Sequence, residues 1–118
     1  MVFPYDFILE ELYPLQLRHK KMFGVDSFYY GEKIVFALRK QDNYPNDNGI
    51  WIATKIKFHK ELKLLIRDLK AIEVYGLKTW LVLPESSDHF EEGIIKIAEL
   101  IKQHSSLIGN IPKVKKKK

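Results

Sequence analysis

The sequence predicts an α+β fold: an antiparallel sheet of about five or six strands packed against an N-terminal helix, a middle helix and a C-terminal helix. Three observations carry this. Phe28–Tyr30 and Ile34–Leu38 are rich in aromatic and β-branched residues, which suit a pleated surface. The Gly31-Glu32 pair between them puts glycine first, as a two-residue type II′ hairpin turn requires. From Phe58 onward the apolar period becomes that of a helix, and it does so again from Phe90.

In order along the chain, Phe3 to Leu12 reads as a short helix with Pro4 at its first position and an acidic face of Asp6, Glu10 and Glu11. Pro14 ends it, because proline removes a donor and biases the residue before it away from helix. Residues 18–23, 27–30 and 33–40 then form a three-strand meander, with Gly24 marking the first reversal. The third of these strands is apolar on both parities, as suits a central strand. Ile34, Phe36 and Leu38 are expected to face one core with the stripe of Phe90, Ile94, Ile97 and Ile101.

Residues 41–49 are dense in turn formers and read as a loop, and Ile50–Thr54 as a fourth strand. From Phe58 to Leu69, Phe58, Leu62, Leu65, Ile66 and Leu69 fall on one side of a helix, and Lys60, Lys63 and Arg67 on the other. Ala71–Tyr75 and Lys78–Leu83 read as two strands joined at Gly76, with Pro84 as a stop. Asp88 with Glu91 resembles a capping box for the last helix, expected to run to about Gln103. Gly109 and Pro112 close the ordered chain.

A chain of 118 residues, 46% hydrophobic and 30% charged, suits one soluble globular domain over 1–112. Without cysteine, structural disulfides, thiolate metal sites and thiol catalysis are excluded. No apolar run is long enough to span a bilayer, so no membrane partner is expected. The N-terminus lacks the basic region of a signal peptide, which makes the expected location cytoplasmic. The net charge of +5 resides in Lys113, Lys115, Lys116, Lys117 and Lys118. Without those five, 15 basic residues balance 15 acidic ones. The basic tail over 113–118 reads either as a disordered solubilising terminus or as a phosphate-attracting arm.

Lys21-Met22-Phe23-Gly24, the aromatic strand ending in Tyr30-Gly31, and Phe36-Ala37-Leu38 together resemble the N-terminal domain of the TfoX (Sxy) family, named for bacterial regulators of competence genes. Tyr75, Trp80 and a closing helix running into Leu107-Ile108 and Ile111-Pro112-Lys113 are similar to the related MmcQ/YjbR group. The resemblance implies an antiparallel sheet on helices and a regulatory or interaction role.

No residue pattern points to catalysis, a cofactor or a metal. His19, His59, His89 and His104 are scattered singly, outside zinc-ligand spacing. Ser86-Ser87 lacks the glycine frame of a nucleophile elbow, and no Gly-rich phosphate loop is present. The acids around His89 are accounted for by a helix N-terminus. The basic residues are better organised. Positions 18–40 and 55–70 each hold six basic and two acidic residues. Arg18 and Lys20 share one face of a strand, with His19 and Lys21 on the other. Lys60, Lys63, Arg67 and Lys70 fall on one helical stripe.

These seven, Arg18, Lys20, Lys21, Lys60, Lys63, Arg67 and Lys70, are the candidate contacts for a partner or for nucleic acid. If the two segments adjoin, they form a phosphate-binding face; otherwise they are the solvated sides of amphipathic elements. Trp51, Trp80, Tyr29 and Tyr30 suit either base stacking or core filling. The expected function is a non-enzymatic regulatory or interaction module acting through protein contacts. The alternative is weak, non-specific nucleic-acid binding through the two segments and the tail.

Overall fold

A computed structural model describes residues 3–22, 24–74 and 76–111. Phe23, Tyr75, Pro112 and the lysine tail, to which several sequence expectations refer, lie outside them. The elements are α1 (Phe7–Leu12), β1 (Arg18–Met22), β2 (Val25–Tyr30), β3 (Lys33–Arg39), β4 (Gly49–Ala53), α2 (His59–Leu65), β5 (Lys70–Ala71), β6 (Trp80–Pro84) and α3 (Phe90–Lys102). The strands form one antiparallel six-stranded sheet in the order β1-β2-β3-β4-β6-β5. The α+β expectation is met.

One face of the sheet packs against the helices. Phe28, Phe36, Leu38, Ile50, Ile52, Leu81 and Leu83 meet Ile8 and Leu12 of α1, Leu62 of α2 and Ile94, Ile97 and Ile101 of α3. The opposite face, around Val25, Ala37, Trp51 and Val82, is covered by Ile72, Val74 and Leu77 from the segment between β5 and β6.

Ile34 does not join Phe36 and Leu38. Phe28 pairs with Phe36 but Tyr29 pairs with Ile34, so Val35 is an extra residue, a β-bulge. The bulge turns Val35 and Phe36 both toward the helices and sends Ile34 to the other face, beside Tyr29 and Ala53. It also parts β3 from β4, whose last pair is Phe36 with Ile52. A C-terminal strap fills the gap. Ile34 exchanges backbone hydrogen bonds of 2.8 and 2.9 Å with Asn110, and the Gly109 N–H donates to the Ala53 carbonyl.

Several boundaries shift for local reasons. α1 starts at Phe7, and Pro4 lies in the turn before it. Tyr5 there holds φ +54°, with its hydroxyl donating to Glu85 at 2.7 Å and its ring edge against Phe90. β2 begins two residues early, because Gly24 at φ +77° makes the preceding turn tight. Gly31 takes φ +64° at the first turn position, as the glycine-first pair requires.

The middle helix is shorter than its period suggests. It stops at Leu65, Ile66 turns extended, and Asp68 takes φ +68° while accepting the Ser87 hydroxyl. Leu65, expected on the apolar side, is left 42% exposed. The expected strand over 71–75 is reduced to two residues. The buried Asp47 carboxylate accepts the N–H groups of Glu73 and Val74 at 2.7–3.2 Å, so those donors are drawn out of a strand ladder. At α3, no Asp88 capping box forms: His89 is the N-cap residue without a side-chain cap bond, and the Ser87 hydroxyl accepts the His89 N–H instead.

Candidate binding surfaces

The seven sequence-predicted contacts fall into two separate groups. Arg18, Lys20 and Lys21 lie on β1, at one edge of the sheet, and Lys70 lies on β5, at the other. Five strand spacings of about 4.8 Å put roughly 24 Å between those edges. Lys70 and the β1 cations therefore do not adjoin; the two segments meet elsewhere, where Lys33 and Lys55 both reach the C-terminal strap. The helical stripe also ends early, since Arg67 sits in the turn after α2 and Lys70 in a strand.

On β1, register puts Arg18 opposite Tyr29 and Lys21 opposite Asp26. The Arg18 guanidinium lies 4.4 Å from the Tyr29 ring centroid and its Nη2 donates to the Gly31 carbonyl at 3.4 Å. Lys21 Nζ is 3.4 Å from Asp26 Oδ1, which also meets His19 Nε2 at 2.9 Å. Lys20, exposed, stands opposite Ser27. Lys60 and Lys63 are exposed on α2, and Lys70 Nζ is 3.9 Å from Glu73.

α2 has an unusual outward surface. Its inward Leu62 and the following Ile66 are in the core, yet Leu64 is 80% exposed and Ile56, in the 3₁₀ turn leading into the helix, is 62% exposed. Exposed Lys57, Lys60 and Lys63 interleave with these apolar residues. His59, which opens the helix, has a buried Nε2 without a hydrogen-bond partner among the described residues. Burial, and then the Lys63 charge, hold its imidazole below the ordinary histidine pKa.

The two ends of the sheet carry opposite charge. At one end, bonds between Arg18 and Gly31, Lys55 and Asn110, and Asn110 and Thr54 bring together the turn after β2, the start of β3, the exit of β4 and the strap. The segments opening there contain Arg18, Lys33, Lys55, Lys57 and Lys78 against Glu32 and Glu73, a net of +3. At the other end, Tyr5 and Lys40 meet Glu85, and Asp68 meets Ser87. There Asp6, Asp42, Asp47, Asp68, Glu85 and Asp88 outweigh Arg39, Lys40 and Arg67, a net of −3. Sequence reading included Lys33, Lys55 and Lys57 in its segment totals without singling them out. Only strand direction sorts charges by end, and no period along the chain encodes that.

The loop after β3 uses its charges internally. Arg39 is buried and its guanidinium donates to the carbonyls of Tyr44 and Asn43 and to the side chains of Asn48, Gln41 and Asn43, all neutral acceptors. Trp51, also buried, donates its Nε1–H to the Asp47 carbonyl at 2.8 Å.

A cleft of about 430 Å³ opens at the start of α3, lined by Ser87 to Glu92. Its groups do not form a hydrolytic set. The Ser87 hydroxyl donates to Asp68, while the His89 ring lies 3.4 Å from Arg67 and 3.6 Å from Glu92. Among the described residues, no three of His, Cys, Asp and Glu are grouped to hold a metal, and no helix is long and apolar enough to cross a membrane. Compared with known protein families, curated proteins and solved structures, the chain matches none of them.

Proposed function

We propose that the chain is a non-enzymatic interaction module acting through protein contacts on the outward surface of α2. The observation that supports this is the exposure of Leu64 and Ile56, 80% and 62%, beside a partly exposed Leu65. A helix already anchored by buried Leu62 and the following Ile66 gains nothing in its own fold by displaying further apolar side chains. Fully burying an exposed Leu or Ile contributes about 1.5–3 kcal/mol, and the exposed part of these three supplies a proportionate share of that, an appreciable part of a binding free energy. Lys57, Lys60 and Lys63 around them suit a partner whose apolar contact is rimmed by carboxylates. The resemblance of the Arg18–Lys40 region to the TfoX N-terminal domain points the same way.

The test is capture from native lysate with nuclease present, comparing the native chain with an Ile56→Ser/Leu64→Ser variant. Both residues are exposed, so the variant keeps its melting temperature. A protein retained by the native chain and lost by the variant supports the reading. Identical retention by both contradicts it.

A further inference from the structure

The strap between β3 and β4 concentrates cations around itself. Lys55 Nζ donates to Asn110 Oδ1 at 3.2 Å. The Lys33 stem lies directly over Gly109, so close that a Cβ there would come within 2.6 Å of Lys33 Cε. Arg18 closes the neighbouring turn through the Gly31 carbonyl. Among the described residues, the carboxylates of the segments opening at this end are Glu32 and Glu73, and Glu73 is engaged elsewhere, its N–H on Asp47 and its carboxylate 3.9 Å from Lys70. Past Ile111, the last described residue, the sequence runs directly into Lys113 and Lys115–Lys118. Aromatic rings stand beside the cations: Tyr30, 38% exposed, lies 5.2 Å from the His104 ring, and Tyr29 lies under Arg18.

We propose that this end of the sheet is a binding site for the phosphodiester backbone of nucleic acid, centred on Lys33, Lys55 and Arg18. Clustered ammonium and guanidinium groups displace the counterions condensed on a polyphosphate, and that release drives binding. The Tyr30–His104 pair favours nucleic acid over a sulfated polysaccharide, because an unpaired base lays a full π-face on a planar ring, whereas a sulfated sugar offers only the C–H groups of a strongly hydrated ring. The site borders the lead-in to α2, since Lys55 precedes Ile56, but it does not use Lys60 or Lys63, and it replaces the face that Lys60, Lys63, Arg67 and Lys70 would have formed had they adjoined β1.

Fluorescence anisotropy of the full chain against a labelled 20-nucleotide single strand and its duplex, across a salt series, tests this. The expected Kd lies in the range of roughly 10⁻⁴–10⁻⁶ M at physiological salt. Lys33→Glu with Lys55→Glu should weaken binding at least about tenfold and reduce the salt slope by about two, one unit per lost phosphate contact. Lys60→Glu with Lys63→Glu, an equal change of net charge on α2, should weaken it less than about threefold. Because Lys33 packs on Gly109, the neutral pair Lys33→Gln with Lys55→Gln is measured beside it, with melting curves for both. A reduced slope in that folded variant supports the site. Equal losses from the two charge reversals, or tighter binding to heparin of matched charge than to either oligonucleotide, overturns it. So does a chain with its five tail lysines changed to serine that no longer responds to Lys33 and Lys55.

Discussion

The two ends of the sheet solve the same structural problem by opposite means. At the acidic end, the loop after β3 is held by charged side chains turned inward: Arg39 satisfies loop acceptors, Asp47 satisfies the N–H groups of Glu73 and Val74, and Glu85 joins Tyr5 to Lys40. At the basic end, closure is by backbone pairing of the strap with Ile34 and Ala53, backed by the Thr54 hydroxyl donating to the Leu107 carbonyl at 2.7 Å. A charge held by buried partners is not available to a ligand. The basic end is closed mainly by backbone pairing, and Arg18 and Lys55 add only exposed hydrogen bonds to neutral acceptors, so their charges stay at the surface and make this end the better place to look for binding.

The largest expected effect breaks the acidic end. Asp47→Ala leaves two amides without their charged acceptor. It should cost on the order of 3 kcal/mol, read as a lower urea midpoint with faster hydrogen exchange at Glu73 and Val74. An unchanged midpoint would mean the loop does not rest on that carboxylate. At the basic end, Thr54→Val removes the hydroxyl that donates to the Leu107 carbonyl and anchors the strap to the exit of β4. Its expected cost is smaller, about 1 kcal/mol by the same titration, with faster exchange at the Ile34 amide. If Thr54→Val costs as much as Asp47→Ala, the contrast between the ends fails.

The smallest effect concerns pH. The hydrogen bond from Lys40, opposed by burial and aided by Tyr5, holds the Glu85 carboxyl below its ordinary pKa of 4.5. The stabilisation it contributes is therefore fully present above about pH 4.5 and is lost as pH falls through the lower folded value. Lys40→Met should flatten that acid limb. Both side chains are partly exposed, so the change at pH 7 should stay near 0.5 kcal/mol or below. Melting temperatures from pH 3 to 7 check it; an acid limb as steep as in the native chain would assign the shift to Tyr5.

The sequence by itself determined the fold class, the meander, the loop at 41–49 and the closing helix. Those features rest on short-range periodicity, on turn glycines such as Gly31, and on the apolar stripe of α3. The tertiary structure alone decided which face Ile34 takes, because one inserted residue, Val35, reverses the alternation and leaves no trace in the pattern. It also decided where α2 and β5 stop. A buried carboxylate many residues away claims the amides of Glu73 and Val74, and Asp68 takes positive φ against Ser87. The candidate site was legible only as composition: two segments of net +4 were visible, but strand order carried Lys70 to the far edge from β1 and brought Lys33 and Lys55 together around the strap. Charge along a chain is local information, whereas charge in space depends on the direction in which each strand runs.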